Sequence, residues 1–358
     1  MADHEIPLSH RPRIAVTGGN GFLGGTILRQ LGSSGLSVCA SHLSDQPRWH
    51  VEDVDCRWVD VDPERPASVR RLVGGASAVV HCAGYRPRRA FRLREATARG
   101  VYRLRTLLDA CIAEGVDRVV YISSPATLGI SDGQPVDETC RYIPGSVDNA
   151  YFEAKACMEA EVYRYVAAGL DVVIAIPTTM VGPGDAGPTT GRWIGAVAGG
   201  RVPIAPEGIT LNVVDVRDVA KGVMSALQRG RTGRRYILGG TNIELGHLVD
   251  TICDIAGQRR LDRRVSLSQF QTVARAGEYL AEAVDCPKLP PLLVSVEAMT
   301  YGGPIGSGRA ESELQYRSRP LENTVDDTIR WLCRVGYLSW AAGSMIPRPR
   351  SSEGAGPR

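Results

Sequence analysis

Short apolar runs alternate with amphipathic stretches along the first half of the chain. Each run is too short for a helix and is bounded by glycine, proline or polar residues, which is typical of buried strands. We expect strands over residues 14–16, 36–40, 56–61, 77–82, 118–123 and 172–177. The stretches between them predict helices over residues 24–31, 66–72, 96–114 and 151–168. This alternation favours an α/β fold, a doubly wound parallel sheet with helices on both faces.

The second half of the chain is less regular and richer in turn-forming residues. A glycine- and proline-rich loop is expected over residues 181–191. The elements predicted beyond it are helices over 193–199, 219–228, 243–256 and 324–335 and strands over 211–216 and 235–238. The apolar, proline-interrupted segment 261–302 suggests a cover over a substrate, with a buried partner interface as the alternative.

Composition and charge narrow the class of protein. The 358 residues carry a net charge of only +3 and the arginines are scattered, so nucleic acid is not the expected partner. No apolar run is long enough to span a membrane, and the N-terminal residues lack the features of a signal peptide. The nine cysteines are dispersed, and several, such as Cys39, Cys82 and Cys111, lie in apolar segments. They indicate reduced core residues of a cytoplasmic protein without a metal site.

A glycine turn follows the first predicted strand. Gly18, Gly21 and Gly24 stand three residues apart at the start of the first predicted helix. Glycine permits a tight turn and lets the backbone approach a pyrophosphate, and the helix N-terminus offers amide donors to the phosphates. The sequence therefore predicts a dinucleotide site here, with a purely structural turn as the alternative.

Tyr151 and Lys155 are four residues apart in a chain with only three lysines, the others being Lys221 and Lys288. The surrounding residues favour a helix, on which such a pair shares one face. An ammonium beside a phenol favours the phenolate, which makes the phenol usable as a general acid or base. The alternative is an ordinary exposed pair on a helix.

These features predict two unequal parts. Residues 13–180 would form the dinucleotide-binding domain, and residues 181–340 mainly a smaller substrate-binding lobe with elements that return to the first domain. Residues 1–12 are expected to be a flexible tail, and residues 341–358, rich in serine, glycine, proline and arginine, to be disordered.

Several motifs follow one another in a fixed order along the chain, among them Thr17-Gly-Gly-Asn-Gly-Phe-Leu-Gly24, His81-Cys-Ala-Gly84, Val119-Val-Tyr-Ile-Ser-Ser-Pro-Ala-Thr-Leu-Gly129 and Tyr151-x-x-x-Lys155. With these motifs the chain resembles the extended short-chain dehydrogenases/reductases over roughly residues 13–335. Within this NAD-dependent epimerase/dehydratase family the chain is most similar to the dihydroflavonol-4-reductase-like branch and to hopanoid-associated sugar epimerases. The resemblance implies a Rossmann-type fold with a smaller C-terminal substrate-binding lobe, and a homodimer paired through two long helices.

The resemblance also implies residue roles. Tyr151 would be the acid/base, Lys155 would hold the nicotinamide ribose hydroxyls, and Ser124 would hydrogen-bond the substrate oxygen. The residues that would bind the cofactor are Gly18, Gly21, Phe22, Gly24, Asp60, Lys155 and Pro177. Asp60 would bind the adenine amino group, and the Pro177 backbone would lie against the nicotinamide. The alternatives are a turn-forming hydroxyl for Ser124 and a loop cap for Asp60.

Three positions bear on how far the family pattern applies. Gly100 stands where the family usually has an asparagine that supports the active-site water and lysine network. Leu211 stands where nucleotide-sugar enzymes often carry a phosphate-binding arginine, which argues for a less polar substrate. Arg192 is a candidate anion contact, with an exposed surface arginine as the alternative.

The choice between NAD and NADP is poorly encoded. An acidic residue after the second strand would bond the ribose 2′-hydroxyl of NAD. Asp45 could serve in this way, whereas His42 or Arg48 could meet the 2′-phosphate of NADP. We expect NAD or NADP, with a slight preference for NAD.

Three functions are compatible with these residues. The first is a carbonyl reductase or alcohol dehydrogenase that passes a hydride between nicotinamide and a relatively apolar cyclic substrate. The second is a nucleotide-sugar epimerase or dehydratase, in which the hydride returns to the substrate and no cofactor is consumed. The third is a non-catalytic dinucleotide sensor. Glycine at position 100 suggests this function, and the intact set of Ser124, Tyr151 and Lys155 argues against it.

Overall fold

The computed structural model of the protein describes residues 13–32, 34–42, 48–85, 87, 92–129, 134–185, 190–202, 205–269, 271–273, 275–276 and 303–338. The strands in these ranges are β1 (Arg13–Thr17), β2 (Ser37–His42), β3 (Arg57–Asp60), β4 (Ala78–His81), β5 (Arg118–Ile122), β6 (Val172–Pro177), β7 (Thr179–Val181), β8 (Ala205–Glu207), β9 (Thr210–Asp215), β10 (Arg235–Leu238), β11 (Thr241–Glu244) and β12 (Arg264–Ser266). The helices are α1 (Phe22–Gly32), α2 (Pro66–Val73), α3 (Leu93–Ala113), α4 (Ala150–Ala167), α5 (Thr190–Ala198), α6 (Val216–Arg229), α7 (Leu245–Ala256), α8 (Gly308–Leu314) and α9 (Leu321–Arg334).

Seven parallel strands form the main sheet, in the spatial order β3-β2-β1-β4-β5-β6-β10. The central strands β4, β5 and β6 are buried along their whole length, as expected for strands covered on both faces. Helices α2, α3 and α4 pack on one face, and α1, α6 and α8 pack on the other. This arrangement confirms the predicted doubly wound, Rossmann-type α/β fold.

The carboxyl ends of the parallel strands meet at one edge of the sheet. The strand order reverses at β1, which lies between β2 and β4. In such sheets a ligand crevice opens beyond the strand ends at the reversal point. The turns that follow β1, β4, β5 and β6 are therefore brought together at this edge.

Elements of the second half form a separate small sheet and an apolar core of their own. Strand β9 pairs with β7 on one side and antiparallel with β11 on the other, while β8 and β12 form a two-stranded pair. The core between β9 and helices α5, α7 and α9 is built from aliphatic side chains, among them Leu211 and Ile252. Strand β10 and helices α6 and α8 instead return to the main sheet.

The predicted elements are found with their ends shifted by at most three residues, and at two places the type of element differs. Strands 172–177 and 235–238 have the predicted bounds. The predicted helix 243–256 begins too early, because Ile243 pairs with Leu211 in β11 and the helix starts only at Leu245. The predicted loop 181–191 is too long at both ends, since Val181 closes β7 and α5 begins at Thr190.

Some predictions concern residues outside the described ranges. The two tails, 1–12 and 339–358, and most of the segment 261–302 lie outside them. The domain bounds at residues 180 and 340 stay predictions. Within the described ranges, no helix combines the length and apolarity that crossing a membrane requires.

Candidate active site

The turn between β1 and α1 can be made only with glycine at two of its positions. Gly18 has a φ of +66°, and a Cβ there would lie 3.0 Å from the Ala83 backbone nitrogen. A Cβ on Gly24 would lie 2.1 Å from the Gly18 carbonyl oxygen. Gly21 donates its N–H to the same carbonyl at 2.9 Å, and Phe22 is the first residue of α1. The N-terminus of α1 is therefore held tightly against the end of β1.

A cavity of about 270 Å³ opens beside this turn at the strand-end edge. Its lining includes backbone and small polar groups suited to phosphates and ribose, namely Thr17, Gly18, Asn20, Gly21, Ser41, His42, Ala83 and Gly84. The Ser41 hydroxyl accepts a hydrogen bond from the Gly18 N–H at 2.9 Å, which joins the end of β2 to the turn. The close backbone approach at Gly18 and Gly24 fits a dinucleotide whose pyrophosphate rests on the helix N-terminus.

Replacing Gly24 with alanine is expected to abolish this fit. The new Cβ would meet a backbone oxygen that cannot move away, so the turn must deform and dinucleotide affinity should fall by about tenfold or more. Gly32→Ala in the same helix is the matched control, because nothing lies within 4 Å of a Cβ at that position. Titration calorimetry with NAD and NADP measures both variants; equal affinities for Gly24→Ala and Gly32→Ala would contradict the expectation.

The other predicted cofactor residues lie at ends of neighbouring strands. Asp60 is the exposed last residue of β3 and stands opposite His42 in the register. The next residue, Val61, lines the cavity, but Asp60 itself does not. The adenine contact of Asp60 therefore stays a prediction. Pro177 is the buried last residue of β6, and its nicotinamide contact also stays a prediction.

Of the three residues that could decide the preference between NAD and NADP, His42 and Arg48 lie within the described ranges. His42 ends β2 and meets the Trp58 ring edge-on, with ring centres 5.9 Å apart. The Arg48 guanidinium lies 5.2 Å over the same ring. Asp45, the candidate for a ribose hydroxyl, lies outside the described ranges.

Helix α4 carries Tyr151 and Lys155 into the strand-end edge. The side-chain oxygen of the buried Asn149 accepts a hydrogen bond from the Tyr151 backbone N–H at 2.9 Å and caps the helix. Lys155 is only 5% exposed, and its Nζ lies 5.9 Å from the centre of the Tyr151 ring. The burial of Lys155 excludes an ordinary exposed helical pair.

Ser124 follows β5, and its Oγ lies 2.8 Å from the Tyr151 hydroxyl oxygen. The same Oγ accepts a hydrogen bond from the Ala126 backbone N–H at 3.2 Å and so caps the short turn Pro125–Thr127. Because Oγ accepts from Ala126, its own proton is free to point at the phenol or at a substrate oxygen. In this geometry Ser124 can therefore form the turn and also take the predicted catalytic role.

Residues after β4 close the site around Lys155. A Cβ on Gly84 would lie 3.0 Å from the Lys155 Nζ, so the backbone here is in close contact with the ammonium. His81 is buried at the end of β4, with its Nδ1 2.7 Å from the Thr17 Oγ1. Burial and the charge of Lys155 lower the pKa of His81 to about 3. The imidazole is therefore neutral near pH 7 and joins β4 to β1 without adding charge.

Gly100, in place of the usual asparagine, is in close contact with two large side chains. A Cβ at this position would lie 3.0 Å from the Met158 Sδ and 3.1 Å from the Tyr85 Cδ1. Met158 and Tyr85 also line the cavity. The space next to Gly100 is thus filled by apolar packing rather than by an amide side chain.

Two further predicted positions lie apart from the cavity. Leu211 is 2% exposed and packs inside the core of the small lobe. Arg192 stacks its guanidinium 5.8 Å over the Tyr337 ring, which supports the surface alternative rather than an anion contact. Among the described residues, no group of three or more His, Cys, Asp or Glu side chains is placed to hold a metal ion.

The cysteines within the described ranges are free thiols. Cys39 and Cys111 are buried in the core, as predicted, whereas Cys82 is half-buried and lines the cavity. Burial raises the pKa of Cys82 to about 12, so its thiol is protonated in the wall of the cavity.

Sequence reasoning missed a buried ion pair beneath Ser124. Glu159 and Arg235 are 4% and 1% exposed, and the Arg235 Nε lies 3.0 Å from the Glu159 Oε1. Glu159 stands four residues beyond Lys155 and eight beyond Tyr151, so the helical spacing could have placed it on the same face. No helical spacing could place Arg235 there, because it belongs to a distant strand, although it begins the stretch Arg235-Tyr-Ile-Leu-Gly-Gly240 that also matches the family.

Proteins of one family match this chain along most of its length. The NAD dependent epimerase/dehydratase family matches residues 14–239. A protein assigned as a dihydroflavonol 4-reductase from Synechocystis sp. is 30% identical over 337 residues, which cover 90% of this chain and 95% of that protein. A 4-hydroxy-2-methyl-3-oxo-4-farnesyl-3,4-dihydroquinoline-1-oxide ketoreductase from Stigmatella aurantiaca is 26% identical and covers 89% of this chain and 96% of its own.

Solved structures share the fold. The crystal structure of gox2253 is 31% identical, with a TM-score of 0.79, and covers 92% of this chain and 100% of that chain. A nucleoside-diphosphate-sugar epimerase from Pseudomonas aeruginosa is 25% identical, with a TM-score of 0.77 and the same coverage. The fold, the glycine turn, the pair of Tyr151 with the buried Lys155 and these similarities agree. The chain therefore belongs to the NAD-dependent epimerase/dehydratase family, as an NAD(P)-dependent oxidoreductase of the extended short-chain dehydrogenase/reductase type.

Proposed function

We propose that this protein is a carbonyl reductase or alcohol dehydrogenase that acts on a relatively apolar cyclic ketone or alcohol in secondary metabolism. The observation that carries the proposal is the 2.8 Å contact between the Ser124 and Tyr151 hydroxyls, at the strand-end edge beside the buried Lys155. Two hydroxyls in contact there form a site where one substrate oxygen can meet both.

The three side chains divide the work of proton transfer. Tyr151 gives its proton to the substrate oxygen in the reductive direction and takes it back in the oxidative one. Ser124 donates a hydrogen bond to the same oxygen as negative charge develops on it. The Lys155 ammonium stabilises the phenolate that Tyr151 becomes. Bound nicotinamide supplies or accepts the hydride at the neighbouring carbon. Lys155, the glycine turn, Asp60 and Pro177 are the residues that would hold the cofactor.

The preference for an apolar substrate rests on three observations. The relatives from Synechocystis and Stigmatella are named as a dihydroflavonol reductase and a quinoline ketoreductase, whose substrates are cyclic. Leu211 is buried in a core, so this position offers no charge to a sugar diphosphate. Arg192 is held on a tyrosine ring.

The proposal is tested by turnover of NADH and NADPH with a panel of flavanone-like and steroid-like ketones, followed by absorbance and product chromatography. We expect at least one ketone to be reduced and the matching alcohol to be oxidised in the reverse assay. A protein that binds dinucleotide but neither consumes NAD(P)H with these ketones nor forms it from the alcohols would contradict the proposal.

The alternative is a nucleotide-sugar epimerase or dehydratase, in which the same Tyr151 acts and the hydride returns to the substrate. The similarity to the Pseudomonas aeruginosa epimerase favours it. Cofactor retained through purification, thermal stabilisation by UDP- or GDP-sugars and sugar conversion followed by NMR would identify it. A cytoplasmic location and a homodimer are part of the same proposal and are tested by fractionation and by sedimentation.

A further inference from the structure

We infer that the buried ion pair of Glu159 and Arg235 positions the Ser124 hydroxyl against Tyr151. Both are positioning residues, because neither lines the cavity at the strand-end edge. The kinetic part of this inference rests on the proposed function, and its structural part does not.

Glu159 holds the residue before Ser124. Its Oε2 accepts a hydrogen bond from the Ser123 hydroxyl at 2.5 Å, while its Oε1 faces Arg235. Glu159 lies on the same helix as Tyr151, so this bond ties the end of β5 to the helix that carries the phenol. The two partners of the 2.8 Å contact are thereby fixed relative to each other.

Arg235 holds the residues after Ser124. Its Nη2 donates to the Thr127 carbonyl oxygen at 2.9 Å and to the Thr127 Oγ1 at 2.8 Å. The Thr127 hydroxyl in turn donates to the Ser124 carbonyl oxygen at 2.9 Å. A second guanidinium nitrogen, Nη1, donates to the Cys140 carbonyl oxygen at 2.9 Å. The backbone of Ser124 is therefore held on both sides by the two members of one ion pair.

Burial makes these contacts obligatory. Desolvation raises the pKa of Glu159, which the hydrogen bond from Ser123 partly offsets. A buried charge is stable only while its hydrogen-bond partners keep their positions. Because Ser123 and Thr127 supply such partners, the ion pair resists any shift of the turn around Ser124. A second ion pair, Arg118 with the partly exposed Asp171, stands at the opposite end of β5, and its side chains also bond Leu227 and Thr232. In contrast to Glu159 and Arg235, this pair bonds no residue next to Ser124.

The test removes one hydroxyl and leaves the ion pair intact. Thr127→Val keeps the shape of the side chain and the bond from Arg235 to the Thr127 carbonyl oxygen, but it removes the hydroxyl that joins Arg235 to the Ser124 carbonyl oxygen. We expect kcat to fall by about 10–100-fold while dinucleotide affinity is unchanged, because a small misplacement of a catalytic group costs rate rather than cofactor binding. Thr127→Ser keeps the hydroxyl and is expected to restore kcat. Ser123→Ala, which cuts the link to Glu159, is expected to lower kcat in the same way.

Thr328→Val is the matched control, because Thr328 is fully buried and donates only within its own helix, at 2.6 Å to the Thr324 carbonyl. We expect the melting temperature of Thr328→Val to change as that of Thr127→Val does, and its kcat to stay at the wild-type value. Wild-type kcat in Thr127→Val and Ser123→Ala, or equal loss in Thr127→Ser and Thr127→Val, would overturn the inference.

Failure of the proposed function gives a different result. The wild-type protein would then turn over no ketone, and the positioning role is tested by hydrogen exchange instead. Faster exchange of the amides of residues 124 and 126–128 in Thr127→Val than in Thr328→Val supports positioning. Equal exchange in these two variants overturns it.

Discussion

Tyr151→Phe is expected to reduce kcat by about 10²–10⁴-fold and to leave dinucleotide affinity unchanged. Phenylalanine keeps the ring, which packs edge-on against Phe152 with ring centres 6.1 Å apart, so the fold of α4 is preserved. The variant lacks only the hydroxyl that lies 2.8 Å from Ser124, and with it the proton that the substrate oxygen would receive. Steady-state kinetics with the best ketone, together with calorimetric titration of the dinucleotide, measure the two quantities separately.

Tyr102→Phe is the control for this variant. Tyr102 is half exposed on α3, its hydroxyl makes one 3.3 Å bond to the Glu64 carbonyl, and it does not line the cavity. Its kcat should equal that of the wild type. If Tyr151→Phe retained more than a tenth of wild-type kcat, Tyr151 would not be the acid/base, since general acid–base catalysis contributes about 10² or more.

Lys155→Met is expected to impair both catalysis and cofactor binding, in contrast to Tyr151→Phe. Loss of charge-assisted hydrogen bonds to ribose hydroxyls should raise the dinucleotide Kd by about 10–100-fold. Loss of the ammonium beside the phenol should lower kcat by about 10²–10³-fold, the usual cost of removing one preorganised group that stabilises developing charge. Methionine has a similar length and is apolar, so it suits the buried position that Lys155 occupies at 5% exposure.

Lys221→Met removes the same charge at a surface site. The Lys221 side chain is 67% exposed and lies 3.9 Å from Asp218, so neither kcat nor Kd should change. A Lys155→Met protein with wild-type dinucleotide affinity would show that Lys155 does not hold the ribose, whatever its effect on kcat.

Local sequence patterns were sufficient for the main sheet and insufficient for the small lobe. Strand 172–177 is a run of six buried residues, so its apolar composition marks both ends. Strands β7, β8 and β12 have three residues each, too few for any period to be visible. Ile243 is apolar and in phase with α7, and only its pairing with Leu211 makes it part of a strand. That pairing is a long-range contact which no local pattern contains.

The candidate site divides in the same way. The pair Tyr151 and Lys155 and the glycine turn were predictable because their geometry is set within one helix and one turn. The neighbours that shape the site come from other elements: Met158 and Tyr85 around Gly100, and Arg235 behind Thr127. Their positions depend on how α3, α4 and β10 pack on the sheet, which periodicity does not encode.

The position of β10 has a consequence for how the protein is made. Arg235 reaches Thr127 across 108 residues of chain and occupies the edge strand of the main sheet. On the ribosome, the glycine turn, Ser124, Tyr151 and Glu159 are all synthesised before Arg235 emerges. A domain folds as a unit, and β10 is part of the main sheet, so Glu159 has no counter-charge until residues 235–238 have been made. The contacts that hold the turn at Ser124 can therefore be complete only after β10 has been synthesised.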